Sequence, residues 1–154
     1  MSDARELYQE VILDHHRRPR NFGPLPEANC SSEGYNPLCG DRITLYLVVA
    51  NDMILDVSWE GSGCAICTAS ASVMTEALKG HTLAEARDLF ARFHDVVTGP
   101  PDENPNVDGI GKLAVFSGVR EYPVRIKCAT LPWHTMRAAL DGSENGVSTE
   151  QEQS

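Results

Sequence analysis

Basic residues are scarce in this chain: 13 Lys and Arg stand against 22 Asp and Glu, a net charge of −9 over 154 residues. That sign argues against non-specific nucleic-acid binding, which needs a basic face to neutralise phosphates, and against docking on an anionic membrane surface. Also missing is any apolar run of about 18 residues, the least that a membrane-spanning helix requires. The opening MSDARELYQEV lacks the charged n-region and apolar core of a secretory signal. These absences give the expectation of a cytoplasmic protein, with no nucleic acid and no membrane among its partners. Thiols stay reduced in that compartment, so the five cysteines are candidates for metal binding or chemistry before disulfides. Each one taken singly is by default a small buried hydrophobe.

The length fits one domain able to bury roughly two-thirds of its unfolded surface, so no metal is needed merely to form a core. The expected domain spans 1–140. The remaining 141–154 (DGSENGVSTEQEQS) carries Asp141, Glu144, Glu150 and Glu152 with no Lys or Arg and no apolar period, and reads as a disordered acidic tail.

No internal repeat is present. Asp3 and Glu6 form a capping-box-like start, with Leu7, Tyr8, Val11, Ile12 and His15 on one helical face. Pro19 ends that helix. RITLYLVVA (42–50) and MILDVSWE (53–60) flank Asn51-Asp52 and read as an antiparallel hairpin. A shorter strand is expected near Cys30. AICTASASVMTEALK (65–79) is helix material stopped by Gly80, and Thr82 with Glu85 opens another helix to about Val97. After the TGPPDENPNVDG loop, a short helix is expected near Gly111–Phe116. A last helix follows from Pro123 to about Leu140, kinked or divided by Pro132. Strands first and helices after imply an α+β sandwich with an antiparallel sheet.

Three cysteines stand at element boundaries. Cys39 lies in the turn NPLCGD before a strand, Cys64 follows GSG at a helix N-terminus, and Cys128 lies early in the last helix. Cys39 and Asp41 flank Gly40, whose freedom lets one turn aim both side chains at one point. Zinc takes four ligands, and both thiolate and carboxylate qualify. The helix N-terminus favours Cys64 as thiolate, and Arg125 and Lys127 are expected to do the same for Cys128. Spacing alone leaves two readings open: one metal site shared by distant segments, or separate buried thiols. Cys64-x-x-Cys67 reads alone as a redox dithiol or half a zinc site. The thioredoxin-like βαβ context that the redox reading wants is absent, which leaves Cys67 as a packed or secondary thiol. Cys30 reads as incidental and His15 and His16 as capping cations at a helix C-terminus. His81, His94 and His134 read as surface or core residues, and Trp59 and Trp133 as core or interface anchors.

Those residues resemble a family. Asn36-Pro37-Leu38-Cys39-Gly40-Asp41, Gly61-Ser62-Gly63-Cys64-Ala65-Ile66 with Ala69-Ser70-Ala71-Ser72, and Arg125-Ile126-Lys127-Cys128-Ala129 are similar to three ordered motifs of the NifU/IscU iron–sulfur assembly superfamily. The closest resemblance is to its SufU branch, over about residues 5–140. The opening Leu7-Tyr8 through Asp14-His15 and Pro19 to Gly23 are also typical. The resemblance implies a three-stranded antiparallel sheet packed against helices, a SufE/NifU-like sandwich.

It further implies a metal site of Cys39, Asp41, Cys64 and Cys128. IscU-like scaffolds carry histidine immediately before the third cysteine. Here that residue is Lys127, as in the SufU-like branch, which also has a longer segment before the third cysteine. In that branch the four residues hold zinc, and the protein is a sulfurtransferase that takes persulfide sulfur from a cysteine desulfurase of the SufS type. The implied acceptor is Cys39, because its glycine-flanked turn is the most mobile of the three segments. Arg125 and Lys127 are implied in docking the partner, and downstream iron–sulfur assembly machinery would receive the sulfur. The alternative is a scaffold assembling a nascent [2Fe–2S] cluster on the same cysteines, and a third reading is a structural zinc module. Cys67 departs from the family, which commonly has serine there; its extra thiol is placed to compete for metal or to pair with Cys64 on oxidation.

Overall fold

The computed structural model describes residues 2–104, 106–142 and 147–148, with side chains described from Tyr8 to Gly142 apart from Pro105. Its elements are α1 (Ser2–Arg17), β1 (Cys30–Asn36), β2 (Asp41–Ala50), β3 (Met53–Ser62), α2 (Ala65–Leu78), α3 (Leu83–Thr98), a 3-10 helix (Gly111–Glu121), α4 (Pro123–Leu140) and β4 (Val147–Ser148). Side chains 2–7 lie outside the described residues, and with them the expected Asp3–Glu6 capping box.

Sheet order is β3-β2-β1-β4, with β1, β2 and β3 antiparallel. Asn51 and Asp52 both adopt positive φ (54° and 61°) in the β2–β3 turn, the conformation that matches the twist of a two-residue hairpin. Ile43, Leu45 and Leu47 alternate inward along β2 and are fully buried. α4 packs on β1 and β2, α2 lies between β3 and α4, and α1, α3 and the 3-10 helix flank them. The expected sandwich is therefore the observed one. The tail is mostly outside the described residues; within it, Val147–Ser148 pair in parallel with Gly34–Tyr35 at the β1 edge, where a structureless chain had been expected.

Local signals set the helix ends. Thr82 Oγ1 accepts from Glu85 N–H while Glu85 accepts from Thr82 N–H, completing the capping box. Gly80, at φ 85°, follows α2. Pro132 does not divide α4, which runs unbroken with Leu131, Pro132 and Trp133 buried. Packing on the sheet and against Phe93, whose ring stacks on Trp133 at 4.9 Å, outweighs the one ladder bond that proline removes. The 3-10 helix is longer than expected because Arg120 near its end is tied to α3. Its guanidinium donates to the carbonyls of Val96, Asp95, Pro100 and Glu103.

His15 and His16 are not capping cations. His15 is buried, with Nδ1 2.7 Å from Ser72 Oγ; His16 Nδ1 lies 2.9 Å from Thr68 Oγ1. Arg20 N–H donates to the same Ser72 oxygen, so this knot binds the end of α1 and the following loop to the middle of α2. Burial, then the charges of Arg20 and Lys112, hold His15 below the ordinary imidazole range. His134, against Phe90 and near Arg137, is held down to about 4 by burial and then by Arg137 and His94.

Both histidines are neutral in the fold at neutral pH, and both titrate near 6.5 once unfolded. Above that pH they contribute no slope. Below it the unfolded chain binds protons that the folded chain refuses, so stability falls with falling pH down to about 4. Urea midpoints measured across this window should decline, and less steeply in His134→Gln; an identical slope in the variant would remove His134 from the account.

Candidate metal centre

Asn36 and Asp41 are the last facing pair of the β1–β2 ladder. Four residues join them. Cys39 N–H donates to Asn36 C=O at 3.3 Å, and Gly40 completes the turn at φ 70°, where a side chain would be strained. The turn raises Cys39 to the surface while Asp41 points inward with no exposure.

A buried carboxylate needs donors, and Asp41 has them from two sides. Oδ1 accepts from Cys64 N–H at 2.8 Å and Oδ2 from Asn36 Nδ2 at 3.1 Å. The first contact depends on Gly63, since a Cβ there would meet Asp41 Oδ1 at 2.5 Å. The GSG segment thus serves close approach of the α2 N-terminus to β2. Cys64 is the N-cap of α2, and its sulfur accepts from Cys67 N–H at 3.4 Å. Cys128, one turn into α4 and buried, donates to Cys39 Sγ at 3.4 Å and accepts from Asn36 Nδ2 at 3.5 Å.

Ligand atoms of Cys39, Asp41 and Cys128 lie within 4.8 Å of one another. Cys64 stands beside that trio, outside the 4.8 Å grouping, with its thiol in contact with Cys128 and its backbone N–H bonded to Asp41. Tetrahedral zinc with bonds of about 2.0–2.3 Å sets its ligand atoms roughly 3.5–4 Å apart, so Cys39, Asp41 and Cys128 would draw slightly closer around such an ion and Cys64 would move in to supply the fourth ligand. Three thiols and one carboxylate form a donor set that serves zinc and iron alike.

The charge states divide. The hydrogen bond from Cys128, then the N–H groups of Cys67 and Ile66, lower the Cys64 thiol to about 7 against the opposing effects of burial and Asp41. The helix N-terminus acts there as expected. Cys128 goes the other way. Its bond to Cys64, then burial and the nearness of Asp41 and Cys39, push its thiol up, overturning the expectation that Arg125 and Lys127 lower it. Arg125 is instead turned outward, its guanidinium 4.6 Å over the Tyr122 ring and hydrogen-bonded to Tyr8. Lys127 is half-buried beside Cys128.

The structure brings Cys39, Asp41 and Cys128 together and sets Cys64 beside them, at the head of α2 and bonded through its backbone to Asp41. Sequence reasoning missed Asn36, which contacts two of them. Its signal was its place at the head of NPLCGD, but its contact with Cys128 spans 92 positions. Cys67 is fully buried and Cys30 opens β1, away from the cluster.

The NifU-like N terminal domain family matches residues 7–129. This chain belongs to that family. It is 39% identical over 140 residues to the zinc-dependent sulfurtransferase SufU of Bacillus subtilis, covering 91% of this chain and 93% of that protein. It is 38% identical to the iron–sulfur cluster assembly scaffold protein IscU of Streptococcus pyogenes, covering 94% and 89%. A crystal structure from Fervidobacterium islandicum AW-1, named there as a candidate iron–sulfur cluster assembly scaffold for the SUF system, superposes with a TM-score of 0.80 at 36% identity, covering 88% of this chain and 97% of that one. The chain is thus an iron–sulfur assembly protein of the NifU-like family with SufU and IscU relatives, and no helix among its described residues is long and apolar enough to cross a membrane.

If Asn36 and Gly63 position Asp41 and the thiols, Asn36→Ala and Gly63→Ala should each weaken zinc binding roughly 10- to 100-fold, the usual effect of losing a residue that orients ligands. Competition against a chromophoric chelator measures this, and native affinity in both variants would contradict it.

Proposed function

We propose that this member of the family is a zinc-dependent sulfur acceptor that takes persulfide sulfur from a cysteine desulfurase on Cys39. One observation carries the reading: of the four residues at the site, Cys39 alone is exposed, on a glycine turn, while Asp41 and Cys128 are buried and Cys64 is half-buried. One thiol therefore faces a partner, and three groups are anchored in the fold to retain a metal. Cys39, Asp41, Cys64 and Cys128 would hold the zinc, which would keep the three thiols deprotonated at neutral pH.

The chemistry is thiol–persulfide exchange. Cys39 sulfur attacks the outer sulfur of the desulfurase's cysteine persulfide; a new S–S bond forms at Cys39, the old one breaks, and the desulfurase cysteine leaves as thiolate. No net oxidation occurs. Leu38, Tyr122 and Val124 are exposed apolar side chains adjoining the cysteine turn and the start of α4. With Arg125 on Tyr122, they form a mixed apolar and cationic rim suited to docking such a partner. Lys127 is assigned to the same docking face.

The second reading, a scaffold for a [2Fe–2S] cluster, draws on the IscU relative and on thiolates that bind iron equally well. Lys127 disfavours it, because a lysine adjoins Cys128 where IscU-like scaffolds have a ligating histidine.

Purified without added metal, the chain should carry about one zinc and no acid-labile sulfide. Mixed with a SufS-type desulfurase and cysteine, it should accelerate sulfide release and acquire a persulfide on Cys39, and Cys39→Ala should lose both. Iron with acid-labile sulfide and unaltered behaviour of Cys39→Ala would establish the scaffold reading instead.

A further inference from the structure

Gly34 stands in the middle of β1, where glycine weakens a strand because it packs no side chain. Its φ is not positive, and it pairs with Ile43 and Val147 through backbone that alanine would supply equally. Neither conformation nor pairing therefore asks for glycine, but space does. A Cβ at Gly34 would overlap Thr135 Oγ1 on α4 and stand 3.0 Å from Leu131 Cδ1. Both α4 residues are fully buried, and Thr135 Oγ1 is itself held, donating to Leu131 C=O at 2.8 Å. The same two elements meet at the metal centre. Alternate strand residues share a face, so Gly34 and Asn36 both turn toward α4. On α4, Cys128, Leu131 and Thr135 are spaced i, i+3 and i+7 along one side. Gly34 lies against Thr135 and Leu131 as Asn36 lies against Cys128, 3.5 Å from its sulfur. Toward α2, the helix is tied beside Cys128 by Ser70 Oγ, which donates to Ala129 C=O at 2.6 Å. The tie to α2 keeps Cys128 near Cys64, while close approach to β1 brings it to Asn36, Asp41 and Cys39.

We propose that Gly34 and Thr135 are a matched pair of positioning residues, which set how close α4 sits to β1 and so place the Cys128 sulfur among the ligands of the metal centre. This rests on the zinc reading above. A methyl group at position 34 and the Thr135 oxygen need roughly 3.5–4 Å between them. The close-packed interior cannot absorb that locally, and β1 is paired on both edges. The helix therefore lifts from the strand, and the Asn36–Cys128 contact, already long, is lost.

Zinc affinity by chelator competition and the near-ultraviolet thiolate absorption of the cobalt(II) complex read the effect. Gly34→Ala, shown to be folded by circular dichroism, should bind zinc about 10- to 100-fold more weakly than native and lose part of the thiolate absorption. Thr135→Ala opens the same gap from the other side. Alone it should bind like native, and Gly34→Ala/Thr135→Ala should recover native affinity and spectrum. If Gly34→Ala does not fold, the double variant must still fold and bind zinc like native, and its failure to do so would overturn the pairing. A folded Gly34→Ala with a lower urea midpoint but native zinc affinity and cobalt spectrum would show a merely structural glycine and overturn the positioning role. So would a metal defect that Thr135→Ala does not repair. A native chain whose cobalt complex lacks thiolate absorption would instead overturn the zinc reading itself.

Discussion

The Asp41 carboxylate is the constraint on which the site depends. A buried carboxylate costs several kcal/mol unless its oxygens find donors, and here the donors come from separate parts of the chain: the amide of Asn36 at the end of β1 and the backbone N–H of Cys64 at the head of α2. Satisfying Asp41 therefore fixes the hairpin end against the helix N-terminus. Asn36 extends the same constraint to Cys128 on α4. The cysteines converge because a buried charge between them has to be satisfied, and a thiol group at each corner follows from where those elements begin.

This arrangement separates retention from delivery. The groups that would hold a metal are backed by sheet and helix, whereas the exposed turn carrying Cys39 is held by long bonds: Cys39 N–H to Asn36 C=O at 3.3 Å, Leu38 N–H to Asn36 Oδ1 at 3.2 Å and the Cys128 thiol to Cys39 Sγ at 3.4 Å. Movement of Cys39 away from Cys128 costs little packing, while movement of Asp41 or Cys128 would expose an unpaired charge or open the core.

Much of the architecture was legible where the signal was local. Asn51-Asp52 marks a hairpin because its two residues tolerate positive φ, and Thr82 with Glu85 marks a helix start because their side chains close on neighbouring backbone. The cysteine motifs showed the ligands but not what orients them. Asn36 reaches Cys128, His15 reaches Ser72, and Arg120 reaches the end of α3 across long separations that no periodicity encodes. His15 and His16 were misread for that reason: beside the helix end they looked like capping cations, and only the packing of α2 shows them hydrogen-bonded to Ser72 and Thr68. Cys128 was misread because sequence proximity to Arg125 was taken for spatial proximity, whereas the guanidinium turns outward over Tyr122.

The single exposed thiol has a stoichiometric consequence. A carrier with one accessible sulfur atom accepts one sulfane sulfur per encounter and is then full until it discharges. A [2Fe–2S] unit contains two sulfides, so on the proposed acceptor reading supplying one would draw on two loaded chains or two rounds of one, and the supply of such units would scale with the turnover of Cys39 rather than with the number of cysteines in the chain.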